Sequence, residues 1–101
     1  MNTPLRVEIT DDAQTQISNA AAWWAENRPA APDAIRDELD RILALLRVQP
    51  DIGTIAHCAT LSGVRRVTLS RVRHYVYYRV AGDALQVLAF WHTSRGSGPA
   101  I

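Results

Sequence analysis

A chain of 101 residues is long enough for one hydrophobic core and too short for two, so a single domain is expected over residues 1–101. Hydrophobic residues at 48% and charged residues at 21% exclude a disordered chain, and no stretch approaches the roughly 20 apolar residues of a membrane span. The net charge of +1 hides a division: residues 1–59 hold five arginines against nine acids, a net −4, while residues 60–101 hold six arginines against Asp83 alone, a net +5.

Every cation is an arginine, so each is a planar fork able to grip a carboxylate or phosphate through two hydrogen bonds. Codon preference accounts for arginine over lysine; it does not account for the asymmetry, which puts a basic surface in the second half for an acidic partner. The lone cysteine, Cys58, cannot form an internal disulfide or a multi-thiol zinc site and reads as a small buried apolar residue. Met1 is not followed by a basic-then-apolar signal peptide. A soluble, cytoplasmic protein without metal or cofactor is the expectation.

Along the chain, Leu5, Val7 and Ile9 alternate with Arg6, Glu8 and Thr10, the period of a half-buried strand. Thr10 then stands where an N-cap should, with Asp11 and Asp12 placed to favour the positive end of a helix dipole. Ala13, Ile17, Ala20, Ala21 and Trp24 form one apolar stripe on a helix that runs to about Asn27, and Arg28-Pro29-Ala30-Ala31-Pro32 breaks it. A second helix is predicted with Pro32 near its first position, its stripe made of Ile35, Leu39, Ile42, Leu43 and Leu46, and its end at Pro50. So short a link makes the two helices an antiparallel hairpin.

From Pro50 to Gly63 the sequence reads as a loop, after which the period becomes two. Val64–Ser70, Arg73–Val80 and Leu85–Trp91 are predicted strands, the last two joined by the tight turn Ala81-Gly82-Asp83-Ala84. On the middle one, His74, Val76, Tyr78 and Val80 share a face suited to a core under the helices. Arg73, Tyr75, Tyr77 and Arg79 share the other, suited to water or a partner. The last strand is apolar on both faces, with Leu85, Val87, Ala89 and Trp91 on one and Leu88 and Phe90 on the other, as a central strand would be. The result is an α+β fold of two layers, β-α-α-β-β-β, a helical hairpin packed on a curved, mainly antiparallel sheet.

In that order, "AAAWWAENRPAAP", "LDRILALLRVQPDIG", "LSGVRRVTLSRVRHYVYYRV" and "LQVLAFWHTSRGSGP" resemble the ParE/RelE superfamily of bacterial toxins, in particular its ParE-like, plasmid-stabilisation branch, over residues 5 to 99. The resemblance implies a RelE/ParE-like fold and the toxin half of a type II toxin-antitoxin pair. Its partner would be a small antitoxin, of ribbon-helix-helix type, whose C-terminal segment wraps the toxin. ParE-type members poison DNA gyrase; RelE-type members cleave messenger RNA in the ribosome.

The residues bear on which branch applies. Cleavage through a 2′-hydroxyl needs a base, an acid and cations on the developing charge. After residue 51 the only carboxylate is Asp83, on a hairpin tip, which leaves His57, His74 and His92 as the acid/base candidates. The RelE-type pattern has an arginine where this chain has Tyr75, uses basic residues that include lysine, and often a tyrosine in the C-terminal tail. Here there is no lysine, and no tyrosine follows Tyr78. A gyrase-directed toxin acting by binding is therefore expected. The alternatives are a metal-independent ribonuclease using His92, Arg95 and Arg65, and a degenerate member that only binds antitoxin. Arg65, Arg66, Arg73, Tyr75, Tyr77 and Arg79 are the expected antitoxin surface, and Trp23, His92 and Arg95 the expected target contacts. Trp24 continues the helix stripe into the core, which leaves Trp23 at its edge, about 100° away.

Overall fold

A computed structural model describes residues 3–57 and 59–101, so the reading of Cys58 lies outside the described residues. Two helices, α1 (Asp11–Asn27) and α2 (Ala34–Leu46), pack on a sheet of five strands, β1 (Arg6–Ile9), β2 (Thr54–Ile55), β3 (Arg65–Leu69), β4 (His74–Ala81) and β5 (Ala84–His92), in the spatial order β1-β5-β4-β3-β2. β1 runs parallel to β5, and every other neighbouring pair is antiparallel. The α+β architecture is the one expected, with β2 as an additional two-residue strand inside the region read as loop.

The local signals act as their chemistry requires. Thr10 is extended, its Oγ1 accepts the Ala13 N–H at 3.2 Å, and Asp11 and Asp12 fill the first turn of α1. The Arg28 N–H closes that helix on the Trp24 carbonyl at 2.7 Å, one residue before Pro29. α2 starts at Ala34, two residues later than Pro32 suggests, because residues 32 and 33 complete the turn in which the Ala34 N–H reaches the Ala31 carbonyl. Its end is fastened to β1: the Leu5 N–H donates to the Arg47 carbonyl at 3.0 Å and Arg47 Nε donates back to the Leu5 carbonyl at 2.6 Å.

The main core lies between helices and sheet. Ala13 and Ile17 of α1 and Ile35, Leu39, Leu43 and Leu46 of α2 meet Leu69, Val76, Tyr78, Leu85, Val87 and Phe90, with Ala20, Ala21, Trp24 and Ile42 packed at the margin. Both predicted stripes therefore face the sheet.

The last strand departs from simple alternation. In the β4/β5 ladder Tyr77 pairs with Ala89 and Tyr78 with Val87, which leaves Leu88 as an extra residue, a β-bulge. Because side-chain period is two, one extra residue exchanges the faces beyond it. Leu85, Val87 and Phe90 consequently join the helix-side core, while Leu88 and Ala89 belong to a second cluster on the other face with Val64 and Tyr77. The Phe90 N–H is taken by Gln16 Oε1 of α1 at 2.7 Å, and Thr10 Oγ1 donates to the Leu88 carbonyl at 3.4 Å, so α1 is docked on the bulge.

The outer face of β4 is also less wet than its sequence implies. Tyr77 is buried, and Ala56, Ala59 and Ile101 pack on its cluster. The Thr60 N–H and Oγ1 donate to the Ile101 carbonyl at 2.7 and 2.9 Å, which holds the C-terminus across that face.

Candidate functional site

The chemistry-bearing side chains gather at one end of the sheet. Register puts His74, first in β4, opposite His92, last in β5, and opposite Leu69 at the end of β3. The β3/β4 turn adds Arg71 and Arg73, and the Val72 N–H closes it on the Leu69 carbonyl at 3.2 Å. Arg73 lies outside the strand with φ 58, the one non-glycine residue with positive φ among those described, and its carbonyl accepts the Thr93 N–H at 2.9 Å. The left-handed backbone interrupts the alternation, so Arg73 lines a groove on the helix side. It does not continue the face of Tyr75, Tyr77 and Arg79.

That groove, of about 610 Å³, has Trp23, Trp24 and Arg28 from the last turns of α1 on one wall and Arg71, Arg73, His74 and His92 on the other. Trp23 is 52% exposed, as its position at the stripe's edge predicts. The Arg28 guanidinium lies 5.6 and 5.9 Å from the Trp23 and Trp24 ring centroids. Trp24 Nε1 is buried and has no hydrogen-bond acceptor among the described residues. A shallower depression of about 320 Å³, lined by Gln16, Asn19, Phe90 and Arg95, shares Ala20, His74 and His92 with the first, so the histidines stand between the two.

The two histidines are held in different hydrogen-bonded states. His74 stacks on Phe90 at 4.4 Å between centroids and meets His92 edge-on at 5.0 Å. Its Nδ1 is 2.8 Å from the Val72 carbonyl, which can only accept, so that nitrogen carries the proton and Nε2 of the neutral ring is an acceptor. Burial holds its pKa below the ordinary 6.5, the Val72 carbonyl opposes that shift, and His92 adds to it. In His92, Nδ1 accepts the Ser94 N–H at 3.1 Å, with the Ser94 hydroxyl at 2.7 Å, so the neutral ring carries its proton on Nε2.

Arg71 is positioned from beneath by Glu38, a buried carboxylate of α2 that Arg71 meets at 3.3 Å and Arg41 also clasps. The Arg41 hydrogen bond, opposed by burial and reinforced by Arg71, holds the Glu38 pKa below 4.5. Neither Glu38 nor Arg71 stands out in the sequence; the only signal is a carboxylate on the apolar side of a helix, between Ile35 and Leu39.

Of the remaining candidates Arg95 stays beside the histidines and the others scatter. Arg65 pairs with Tyr78, four residues along β3 from Leu69, and its guanidinium donates to the Gly53 carbonyl at 2.7 Å and the Asp51 carbonyl at 3.3 Å. It is not brought to His92. The Arg95 guanidinium stacks 3.7 Å from the Trp91 ring centroid, whose Nε1 donates to the Ser97 carbonyl at 2.8 Å. On the outer face Arg66 lies over Tyr75 at 4.2 Å, and Arg79 donates to Gln86 Oε1 at 2.9 Å. His57 is exposed in the loop before β3. Among the described residues, no three His, Cys, Asp or Glu side chains come together as a metal site requires.

Two helices on one side of a mostly antiparallel five-stranded sheet place the chain among α+β proteins. The chain belongs to the family described as the ParE toxin of the type II toxin-antitoxin system, parDE, whose model matches residues 7–96. Among solved structures it is similar to a chain of a chromosomal ParDE toxin-antitoxin system from P. aeruginosa, with a TM-score of 0.71 and 20% identity over 89% of this chain and 97% of that one. At that identity the likeness speaks to the fold. No curated protein matches the chain. Among the described residues no helix is long and apolar enough to cross a membrane.

Proposed function

We propose that this ParE-family toxin acts in the cytoplasm by binding, with DNA gyrase as its target, and that a cognate antitoxin of ribbon-helix-helix type neutralises it. The observation that supports binding over cleavage is that the set His92, Arg95 and Arg65 is not assembled: Arg65 lies at the far end of β3 from the histidines. Arg65 is engaged with the Gly53 and Asp51 carbonyls, Arg95 lies on Trp91, and His92 Nδ1 is engaged by Ser94. A phosphorane needs acid, base and cation within hydrogen-bond reach of one phosphate.

Expression without antitoxin should produce filamentous cells with an SOS response, and the purified chain should inhibit supercoiling by gyrase or trap cleaved DNA. His92→Ala should reduce this little, whereas loss of a general acid or base typically costs about 10²- to 10⁴-fold in rate. Discrete ribosome-dependent cuts in messenger RNA, with gyrase unaffected, would replace this reading with the ribonuclease.

A further inference from the structure

The groove beside α1 and the depression beyond the histidines form one trough whose bonding capacity is lopsided. Arg28, Arg71 and Arg73 stand at one end and Arg95 at the other, and no carboxylate lines either part. Among the described residues Arg71 alone of the four has an acidic partner, Glu38. To the cations is added one N–H donor, His92 Nε2. The acceptors are few: His74 Nε2 and the side-chain amide oxygens of Gln16 and Asn19, of which Gln16 is already taken by Phe90.

A ligand that matches this trough must offer many acceptors and few donors. An acidic peptide is a poor match, because every residue brings a backbone N–H that needs an acceptor. Nor is a sheet edge open to receive one: β4 is an interior strand, and along the part of β5 beyond its pairing with β1 the Phe90 N–H is already taken by Gln16 of α1. A phosphodiester chain carries only acceptors along its backbone, and its bases have flat faces. Trp23, half exposed and already carrying an arginine beside its ring, is a platform for such a face. Base pairs would hide those faces, so the strand must be single.

We propose that this trough is a binding site for single-stranded nucleic acid, with phosphates against Arg28, Arg71, Arg73 and Arg95 and a base stacked on Trp23. The site reads backbone and stacking rather than sequence, and it binds without cutting. DNA and RNA share this chemistry, and the assignment does not depend on what the toxin targets.

The test is titration of the full chain with oligothymidylate and with oligouridylate, followed by tryptophan fluorescence over a range of salt concentrations. Quenching should saturate with either strand, and log K should fall linearly with log salt, by about 0.7 for each phosphate neutralised. Arg73→Gly, which keeps the left-handed backbone and removes the charge, should flatten that slope by about 0.7. Trp23→Ala should weaken binding roughly tenfold and abolish most of the quenching while leaving the slope unchanged. Arg36→Ala, on the exposed side of α2, should change neither. Preference for one strand type would assign the natural source. The proposal fails if neither strand binds saturably at low salt, if both groove variants bind as the parent does with circular dichroism unchanged, or if an oligoglutamate peptide binds as tightly as the oligonucleotides. Gyrase inhibition measured on the same variants keeps this outcome separate from that of the toxin reading.

Discussion

Tyr78 shows how one buried side chain ties a loop to the sheet. Its hydroxyl donates to the Pro50 carbonyl at 2.6 Å and accepts the Gly53 N–H at 3.0 Å, inside the helix-side core. Tyr78→Phe leaves both backbone groups without a partner and should cost about 1–3 kcal/mol in chemical denaturation. Gly53→Ala should also destabilise, because its Cβ would overlap the same hydroxyl. The double variant should cost less than the sum of the two, a coupling that a thermodynamic cycle would read. His74 makes the second prediction at this scale. Its pKa is below 6.5 in the folded chain, so above pH 6.5 the ring is neutral in both states and contributes no slope. As pH falls through 6.5 the unfolded ring takes up a proton that the folded ring resists, and stability should fall until the folded pKa is passed. His74→Gln should remove this dependence. Glu38, also lowered, acts in a separate window: its stabilisation is present above 4.5 and is lost as pH drops through its folded value.

At the scale of elements, α1 depends on its N-cap and on the bulge it rests upon. Thr10 both caps the helix and bonds the Leu88 carbonyl, so Thr10→Ala should cost about 1 kcal/mol, whereas Thr10→Ser, which keeps the oxygen, should cost much less in thermal melts. The β4/β5 hairpin closes through Gly82 and Asp83, with Ala81 paired to Ala84 and Gly82 at φ 62. Gly82→Ala forces a Cβ into that left-handed backbone and should destabilise by about 1 kcal/mol. Arg73, at φ 58, is the converse, and Arg73→Gly should be neutral or stabilising. Such a result would also show that its effect on ligand binding is one of charge.

Across the whole molecule the acidic half of the chain supplies the helices, net −4 over residues 1–59, and the basic half supplies most of the sheet and the groove wall, net +5 over residues 60–101. On the proposed antitoxin surface the outward charges of the sheet are Arg66 beside Tyr75 and Arg79 beside Gln86. An acidic tail that orders on binding should meet them over a long range, so association should slow as salt rises while dissociation changes little. Arg66→Ala and Arg79→Ala should each weaken the cognate complex by about 2 kcal/mol, against well under about 1 kcal/mol for Arg36→Ala, in calorimetry at two salt concentrations. If Arg36→Ala weakens the complex more, the antitoxin lies on the helices. Arg47 is unsuitable as a neutral control, because it fastens α2 to β1.

What the sequence alone determined are features whose causes lie within a few residues. The Thr10 cap, the Arg28-Pro29 stop, the two apolar stripes and the alternation of β3 and β4 are local patterns of side-chain chemistry, and their succession carries the family. Trp23 at the margin of α1 was legible for the same reason: helical angles follow from spacing. The tertiary structure alone decided what depends on pairing. The extra residue at Leu88 exists only relative to β4, and it is what sends Phe90 to one face and Ala89 to the other. Tyr77 is buried because a loop and Ile101 fold over it, which no alternation records. The trough itself is built from the end of α1, a turn around a left-handed Arg73, and two histidines that strand register sets opposite each other. Its parts are far apart in the chain, and only the packing of α1 across the ends of β4 and β5 brings their donors onto one surface.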